Sequence, residues 1–599
     1  MKPAAGSSIL AAALIVSLVW LSPACALADE LPADTNQIER LTPEQAKKLA
    51  AEFPGVRVVI EGNIGTSFIE RSLPLNGLKS LDPEIVKALA EFKGSLNLSG
   101  LTTLDADIAK TLAEFKGGGL YLNGLATLNA DAATALAEFR GSTLTLNGLT
   151  ALDADIAKTL AGFKGRSLEL NGLTSLDADT AKTLTGSTKW GGRLPKLTTL
   201  DAATAKALAE FKDQVLYLNG LTTLDAATAK ALVGFKGRRL ELNGLTALDA
   251  ATAKALAEFK GGGFCTLNLN GLTTLDAAAA TALAEFKGLY LCLNCLTTLD
   301  AATATALAEF EGFLELNGVT KLDVDIATTL AEFKGGSLEL NGLTALDAAT
   351  ATALAEFKRG WLKLDGLPTL DAETAKALAE FKGGWLKLNG LTTLDAATAK
   401  ALTAFEGRLL VSAKVQEAFC DKNPLTPETA LVWAKLLQGD LKRLTTLDAD
   451  TATALAEFKG LYLGLNGLPT LDAETAKALA EFKGEQLRLN GLTTLDAGAA
   501  KALAGSPAWN GNLSSIVAFE SPDSVEIAAA LATKKGPLSL PNLAKISPKT
   551  LTALIEKEDV EIPLIETLEL IQEPDGSPTD DFMIPKEFQT RQKRRQQGR

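Results

Sequence analysis

Carboxylate and thiol side chains are the reactive groups that this sequence offers. Glu315 and Glu339 occupy the same position in consecutive copies of a repeated motif, so we expect them about one strand spacing apart. Two carboxylates that close could share acid–base work, but nothing around them completes a site, and Lys363 can neutralise the pair. The chain has no histidine, which excludes serine or cysteine nucleophiles activated by histidine and histidine metal ligands. We therefore predict a protein that is not an enzyme and carries no cofactor.

Three of the five cysteines fall in two neighbouring copies of the motif, at Cys265, Cys292 and Cys295. Cys292-x-x-Cys295 is a weak metal motif because it has neither a second pair nor a histidine. A disulfide in an oxidising compartment is the alternative, although residues i and i+3 of an extended strand lie too far apart to be bridged. We favour unpaired thiols and predict no metal site.

A cluster of aromatic and charged residues is the strongest candidate for binding. Residues that alternate with the strand leucines point away from the core, so five of them should be neighbours on three adjacent strands. These residues are Glu339, Trp361, Lys363, Trp385 and Lys387. Exposed tryptophans beside lysines are typical of binding surfaces, where aromatic anchors dominate the energetics. Cross-strand pairing within the sheet, without any ligand, is the alternative explanation of the same residues, and for these residues alone we favour it.

Composition narrows the classes of protein and partner. The 599 residues include 59 Lys and Arg against 72 Asp and Glu, a net charge of −13, which argues against a nucleic-acid partner. A hydrophobic content of 47% with 22% charged residues is typical of a folded chain.

One repeated unit must position all of these side chains. It reads LxLNGLTTLDAATAKALAEFKG, it recurs mostly every 24 residues, and we count about 20 to 22 copies. Leu216-Tyr217-Leu218 alternates and predicts a strand of about three residues. The helical spacing of Ala202, Ala205, Leu208 and Phe211 predicts a helix of about 10–12 residues.

Turn and cap residues separate these two elements. Asn219-Gly220 ends the strand with residues that tolerate a positive φ, and Asp225 stands where a helix N-cap belongs. Lys236-Gly237 suits the helix C-terminus, where lysine complements the dipole and glycine can cap. We therefore expect the column of Asp residues to be structural, and likewise the column of Asn residues.

The frame L-x-L-N-G-L-T-x-L-D resembles the leucine-rich repeat, and it looks most like the bacterial and cysteine-containing subclass. Its apolar positions Leu221 and Leu224 follow the strand residue Leu218 as in that family. The position that usually holds Asn or Cys holds Leu221, and Asn219 comes directly after the strand, which predicts a displaced asparagine ladder. The resemblance implies an α/β fold, a right-handed solenoid of strand–turn–helix repeats. Its parallel sheet would form one face, which we expect to be concave, with helices on the other.

The periodicity and its interruptions divide the chain into seven segments. These are a signal peptide (1–28), an N-terminal cap with degenerate repeats (29–75), the main array (76–411), an enlarged irregular repeat (412–444), further repeats (445–505), C-terminal degenerate repeats with a cap (506–572) and a polar disordered tail (573–599). Met1–Ala28 ends in the small-x-small signature Ala26-Leu27-Ala28, which predicts cleavage after Ala28. Lipid attachment at Cys25 is disfavoured because Ser22 stands where an aliphatic residue belongs.

These features predict a secreted, periplasmic or cell-surface repeat scaffold without a transmembrane segment in its mature chain. It would bind an extracellular or envelope protein, or a glycan, through its sheet face. The alternative is a structural, envelope-associated spacer protein that has no discrete ligand.

Overall fold

The computed structural model describes residues 34–53, 56–61, 67–412, 425–574 and 584–590, together with residues 32, 415 and 576. The predicted signal peptide, Cys25, Cys420 and residues 591–599 lie outside the described residues. The chain forms two compact units. The first comprises Met1–Leu296 with Glu309–Glu315, and the second comprises Thr297–Ala308 with Leu316–Arg599.

The first unit alternates short strands and short helices. Its α-helices are Pro43–Glu52, Pro83–Leu89, Ala106–Ala113, Ala130–Ala137, Ala154–Ala161, Ala178–Thr185, Ala202–Leu208, Ala226–Leu232, Ala250–Ala257 and Ala277–Ala284. Its strands are Val56–Glu61, Ser67–Pro74, Ser95–Asn97, Gly119–Tyr121, Thr143–Thr145, Ser167–Glu169, Val215–Tyr217, Arg239–Glu241, Thr266–Asn268, Tyr290–Cys292 and Phe313–Glu315. From Ser67–Pro74 to Ser167–Glu169, and again from Val215–Tyr217 to Phe313–Glu315, consecutive strands pair in parallel.

The second unit has the same organisation. Its α-helices are Ala301–Ala308, Val324–Ala331, Ala348–Ala355, Ala372–Ala379, Ala396–Leu402, Pro427–Leu436, Ala449–Ala456, Ala473–Ala480, Ala497–Gly505, Ser524–Ala532 and Pro548–Ile555. Its strands are Ser337–Glu339, Trp361–Lys363, Trp385–Leu388, Arg408–Val411, Tyr462–Gly464, Gln486–Arg488, Leu538–Ser539, Lys545–Ile546, Val560–Glu561 and Glu569–Leu570. The first four of these strands pair in parallel in chain order.

These repeats confirm the predicted α/β solenoid of strand–turn–helix units with parallel sheets. Each strand from Ser95–Asn97 to Gln486–Arg488 places a leucine in the core, as Leu240 does, and the helices pack on the helices of neighbouring repeats. Neither element could bury its apolar side alone, so stacking of repeats supplies the core.

The repeat helices span only seven to nine residues, which is shorter than the predicted 10–12. Their last turn tightens: the N–H of Glu138 donates to Ala135 O at 3.1 Å, and the N–H of Phe139 donates to Leu136 O at 3.1 Å. These i→i−3 bonds end the helix and let the following chain turn Phe139 into the core, where it is fully buried. The predicted helix face was also wrong at Ala202, which is exposed, while Thr204 is buried instead.

The phenylalanines that follow the helices form a column of rings through the core. Phe235 stacks on Phe259 with centroids 6.2 Å apart, and Phe259 stacks on Phe286 at 6.4 Å. Where the sequence loses this phenylalanine after the Ala178–Thr185 helix, Trp190 takes the place and packs 5.3 Å from Phe211. Trp509 is similarly buried after the Ala497–Gly505 helix, which also lacks a phenylalanine. Both repeats that lack the phenylalanine therefore fill the core with a tryptophan instead.

The displaced asparagine ladder is confirmed. The N–H of Asn147 donates to Asn123 Oδ1 at 3.0 Å, so each side chain binds the backbone of the next repeat. Further rungs join Asn147 to Asn171, Asn219 to Asn243, Asn243 to Asn270, Asn270 to Asn294, Asn317 to Asn341, Asn341 to Asp365, Asp365 to Asn389 and Asn466 to Asn490.

Two glycine columns serve close stacking rather than the predicted backbone freedom. Gly244 of an Asn-Gly pair does not adopt a positive φ, but a Cβ there would lie 2.3 Å from Asn219 O of the preceding repeat. Gly237 is likewise not a left-handed helix cap, because its helix ends at Leu232. A Cβ at Gly237 would meet the Phe235 ring at 2.1 Å. Both positions need glycine because the backbones of neighbouring repeats approach so closely.

The column of Asp residues caps the helices, as predicted. Asp225 Oδ1 accepts the N–H of Thr228 at 2.9 Å, and the Thr228 hydroxyl donates to Asp225 Oδ2 at 3.0 Å. The backbone N–H of Thr228, and then its hydroxyl, lower the pKa of Asp225. The same kind of backbone bond lowers the pKa of Asp201, Asp249, Asp300, Asp347, Asp371 and Asp472.

The irregular segments agree only partly with the sequence analysis. The enlarged repeat contains the helix Pro427–Leu436, with a proline in its first turn. The Val56–Glu61 strand does not continue the parallel pairing of the array, because it pairs antiparallel with Ser67–Pro74. The tail from residue 573 is not wholly disordered, because Phe588 is 3% exposed and buries an apolar ring.

Candidate functional site

Alternation along two strands of the second unit points the candidate residues away from the core. In Trp361–Lys363 the central Leu362 is fully buried, while Trp361 and Lys363 on either side of it are half-buried. The Trp385–Leu388 strand repeats this arrangement around Leu386. The structure therefore places these tryptophans and lysines on the sheet face opposite the core. We call Glu339, Trp361, Lys363, Trp385 and Lys387 the tryptophan patch.

The two tryptophans stack face to face. Trp361 pairs in register with Trp385 on the next strand, and their ring centroids lie 4.4 Å apart with planes inclined by only 3°. Ring stacking of this kind contributes about 0.5–1.5 kcal/mol beyond the area that it buries. Stacking covers one face of each indole, and Lys363 Nζ lies 5.7 Å from the centroid of the Trp361 ring.

Arg408 belongs to this site and was missed by the sequence analysis. It pairs in register with Trp385 on the following strand, and its guanidinium lies 4.5 Å from the Trp385 ring centroid. Its Nε donates to Gln438 Oε1 at 2.9 Å, which holds the guanidinium in place. Since Trp361 and Arg408 approach Trp385 from opposite neighbouring strands, both faces of that indole are covered. The signal was available, because Arg408 occupies the strand position that Trp361 and Trp385 hold.

The charged members of the patch are paired within the protein. Lys363 Nζ forms an ion pair with Glu339, whose side chain is only 10% exposed, and Asn341 Nδ2 donates to Glu339 Oε2 at 3.5 Å. Lys387 Nζ lies 3.4 Å from Asp365 Oδ2. Asp365 was also missed: it replaces a ladder asparagine and uses its other oxygen to accept the N–H of Asn389 at 2.7 Å. The lysines and carboxylates of the site therefore have ion-pair partners within the protein.

Carboxylates elsewhere on the sheet faces are held by asparagine amides. Asn243 and Asn268 each donate an Nδ2–H to Glu241 at 2.7 Å, and Asn294 does the same to Glu315 at 2.8 Å. These bonds account for Glu241 and Glu315 without any catalytic role. Among the described residues, no group of three or more Cys, Asp or Glu is arranged to hold a metal ion.

Three cysteines lie in the described part of the chain. Cys265 and Cys292 are buried and Cys295 is exposed. Burial raises the pKa of the Cys265 thiol. Protonated buried thiols of this kind behave as small apolar core residues.

Comparison with known proteins gives a fold likeness only. No family model matches the chain, and no curated protein matches its sequence. The structure is similar to the crystal structure of the mouse RP105/MD-1 complex, with 14% identity over 84% of this chain and 94% of that chain, at a TM-score of 0.37. It is also similar to the crystal structure of the TLR13-ssRNA13 complex, with 15% identity over 85% and 94% of the chains and a TM-score of 0.34. Likenesses this weak say nothing about what this chain binds.

In the part of the chain that the structure describes, no helix is long and apolar enough to cross a bilayer.

Proposed function

We propose that the protein is an exported, non-enzymatic repeat scaffold that binds a partner through the tryptophan patch. The observation that carries the proposal is the stacked pair of Trp361 and Trp385, which remains half-buried on the sheet face opposite the core. Large aromatic side chains that are not needed in a core are the commonest energetic anchors of binding interfaces.

The stacking geometry favours a protein over a glycan as the ligand. A sugar ring binds an aromatic residue by stacking on an open face of the ring. In the patch, Trp361 covers one face of Trp385 and Arg408 covers the other. The face of Trp361 that is turned away from Trp385 has Lys363 Nζ 5.7 Å from the ring centroid. The ring edges of the pair suit the irregular, partly apolar side chains of a protein partner.

The closed ion pairs support an interaction that depends little on charge. Lys363 is paired with Glu339 and Lys387 with Asp365, so the patch presents little unbalanced charge to a partner. Binding at the tryptophan patch should therefore come from buried aromatic area, and its dissociation constant should change little with salt.

The spacer alternative rests on the same ion pairs. Because the charged residues and the indole faces are satisfied without a ligand, the patch could simply be cross-strand packing. In that case the asparagine ladder and the aromatic column would be the features that matter for function, and no residue of the sheet face would matter for binding.

Replacing both Trp361 and Trp385 by Ala separates the two functions. Pull-down with the mature chain from extracellular and envelope fractions, followed by identification and purification of the retained protein, gives the ligand for a direct affinity measurement. The double variant should fold and should bind that ligand at least about 30-fold more weakly, a loss of about 2 kcal/mol. Tyr462→Ala is the matched control, because Tyr462 holds the same strand position and also lies beneath an arginine, Arg488.

A double variant that binds as tightly as the parent would assign the patch to packing and support the spacer function. Export has its own test, since N-terminal sequencing of secreted protein should begin at Asp29. A lipid-modified N-terminus at Cys25 would show instead that the chain is anchored.

A further inference from the structure

Residues 234–266 of the first unit depart from the repeat in two independent ways. Gly234 stands where most repeats have glutamate, and Arg238-Arg239 add positive charge at the start of the Arg239–Glu241 strand. The following repeat carries three extra residues, Gly262-Gly263-Phe264, so its ladder asparagine comes 27 residues after Asn243 instead of 24. Two departures on adjacent repeats place an inserted loop beside a local excess of cations.

The inserted loop projects one phenylalanine into solvent. Phe264 is 75% exposed, the largest exposure among the large hydrophobic residues that the structure describes. Gly261 and Gly263 have φ values of +39° and +77°, which let the chain leave and rejoin the strand path around it. The base of the loop is fixed, because the N–H of Thr266 donates to Arg238 O at 2.7 Å and the N–H of Gly262 donates to Gly237 O at 3.1 Å.

Lys260 lacks the partner that two equivalent lysines have in the second unit. Lys483 Nζ lies 2.7 Å from Glu457 of the preceding repeat, and Lys382 Nζ lies 3.9 Å from Glu356 in the same way. The glutamate that would pair with Lys260 is replaced by Gly234.

Two further cations complete the cluster. Within the described residues, no carboxylate oxygen lies within 4.0 Å of Lys236, Arg238 or Lys260. Arg239 is partly compensated by Glu241 at 3.8 Å. The loop therefore combines an apolar tip with three exposed, unpaired cations.

We propose that this loop is a membrane anchor: Phe264 inserts into the interface of an anionic lipid bilayer while Lys236, Arg238 and Lys260 contact the lipid phosphates. An exposed aromatic side chain on a loop beside unpaired cations is the chemistry of binding at an anionic membrane interface, because the ring can enter the interface while the cations meet lipid phosphates. The net charge of −13 does not prevent this contact, because charges more than a Debye length of about 8 Å from the membrane are largely screened at physiological salt.

Vesicle flotation with the full chain tests the anchor. The chain should float with vesicles of phosphatidylcholine containing phosphatidylglycerol, and much less with vesicles of phosphatidylcholine alone. Phe264→Ala should weaken binding by about 10-fold or more, since it removes the inserted ring. Arg238→Gln and Lys260→Gln should each weaken it by about 5-fold, and binding should fall as salt rises.

Matched control variants distinguish insertion of Phe264 from nonspecific hydrophobic binding and from misfolding. Leu461→Ala removes another strongly exposed apolar side chain away from the cluster and should leave flotation unchanged. Deleting residues 262–264 restores a 24-residue repeat and should abolish flotation while the circular dichroism melt stays close to that of the parent. The proposal is overturned if the parent ignores anionic vesicles, or if Phe264→Ala floats like the parent. It is also overturned if an acidic protein, and not lipid, proves to be the ligand of this loop.

Discussion

Replacement of Gly244 by Ala tests whether the Asn-Gly turns are glycine because the repeats stack closely. A Cβ at this position would lie 2.3 Å from Asn219 O and 2.5 Å from Leu221 O, both of them backbone atoms of the preceding repeat. An ordinary contact needs about 3.4 Å, so the turn would have to move by about 1 Å. That movement would stretch the ladder bond from the N–H of Asn243 to Asn219 Oδ1, now 3.0 Å.

The expected cost follows from three terms. Overpacking of this kind costs about 1–3 kcal/mol, and loss of the ladder bond adds about 1 kcal/mol. The reduced entropy of the unfolded chain returns about 0.4–1 kcal/mol. Gly244→Ala should therefore destabilise the array by roughly 2 kcal/mol.

Gly234→Ala is the matched control. Its Cβ would meet Ala231 O at 3.4 Å and Ala209 Cβ at 3.5 Å, which are ordinary contacts, so the change should be neutral or stabilising. Urea unfolding compares the two variants, and hydrogen exchange at the Asn243 amide reports the local effect without assuming a two-state array. Equal stabilities of the two variants, or an unchanged exchange rate at Asn243, would refute the stacking argument.

Three further predictions follow from the aromatic column, the helix caps and the sheet face. Phe259→Ala should cost about 3–5 kcal/mol, because it removes a fully buried ring stacked on both sides, and urea unfolding with Phe259→Leu as the milder variant measures it. Since folding lowers the pKa of cap residues such as Asp201 below 3.8, their stabilisation is complete above that pH and is lost as the pH falls through the lowered value. Circular dichroism should follow this acid loss, and Asp201→Asn should lessen it while keeping the cap, as Asn129 does naturally. Arg408→Ala should cost about 0.5–1 kcal/mol in urea unfolding by uncovering the Trp385 ring.

Local patterns predicted the architecture because the spacing of apolar residues within one repeat already indicates a strand followed by a helix. Alternation around Leu240 and the cap at Asp225 depend on residues a few positions apart, and 24-residue spacing forces successive copies to stack. The helix length was wrong because the last apolar residue of the period, Phe139, lies beyond the helix. A phenylalanine can continue a helical pattern in sequence while a tightened turn carries it into the core.

Contacts between repeats were the part that sequence reasoning could not supply. The alternation of residues along the strand predicted that Glu339 points away from the core. Packing of neighbouring side chains nevertheless leaves this residue only 7% exposed, and it forms an ion pair with Lys363. The ion pair between Asp365 and Lys387 was missed because Asp365 occupies the repeat position of a ladder asparagine. An interaction between two repeats depends on the strand register and on the side-chain rotamers, and neither can be predicted from a single 24-residue repeat.

The aromatic column offers a criterion for separating structural aromatics from surplus ones. Trp190 and Trp509 are buried where a repeat has lost its phenylalanine, so the core requires them. The repeats that carry Trp361 and Trp385 keep Phe357 and Phe381 in the column, 6.0 Å apart, and so do not need their tryptophans for the core.

Phe264 satisfies the same criterion, because Phe259 of its repeat is stacked on both sides. The surplus aromatics coincide with the tryptophan patch in one unit and with the cationic loop in the other. A spacer protein would gain cross-strand packing from the stacked tryptophans but nothing from Phe264, since an exposed apolar ring adds risk of aggregation without adding core. Replacing Phe264 by Ala should therefore leave the stability nearly unchanged, whereas loss of the stacked pair should cost at least the roughly 0.5–1.5 kcal/mol that ring stacking contributes.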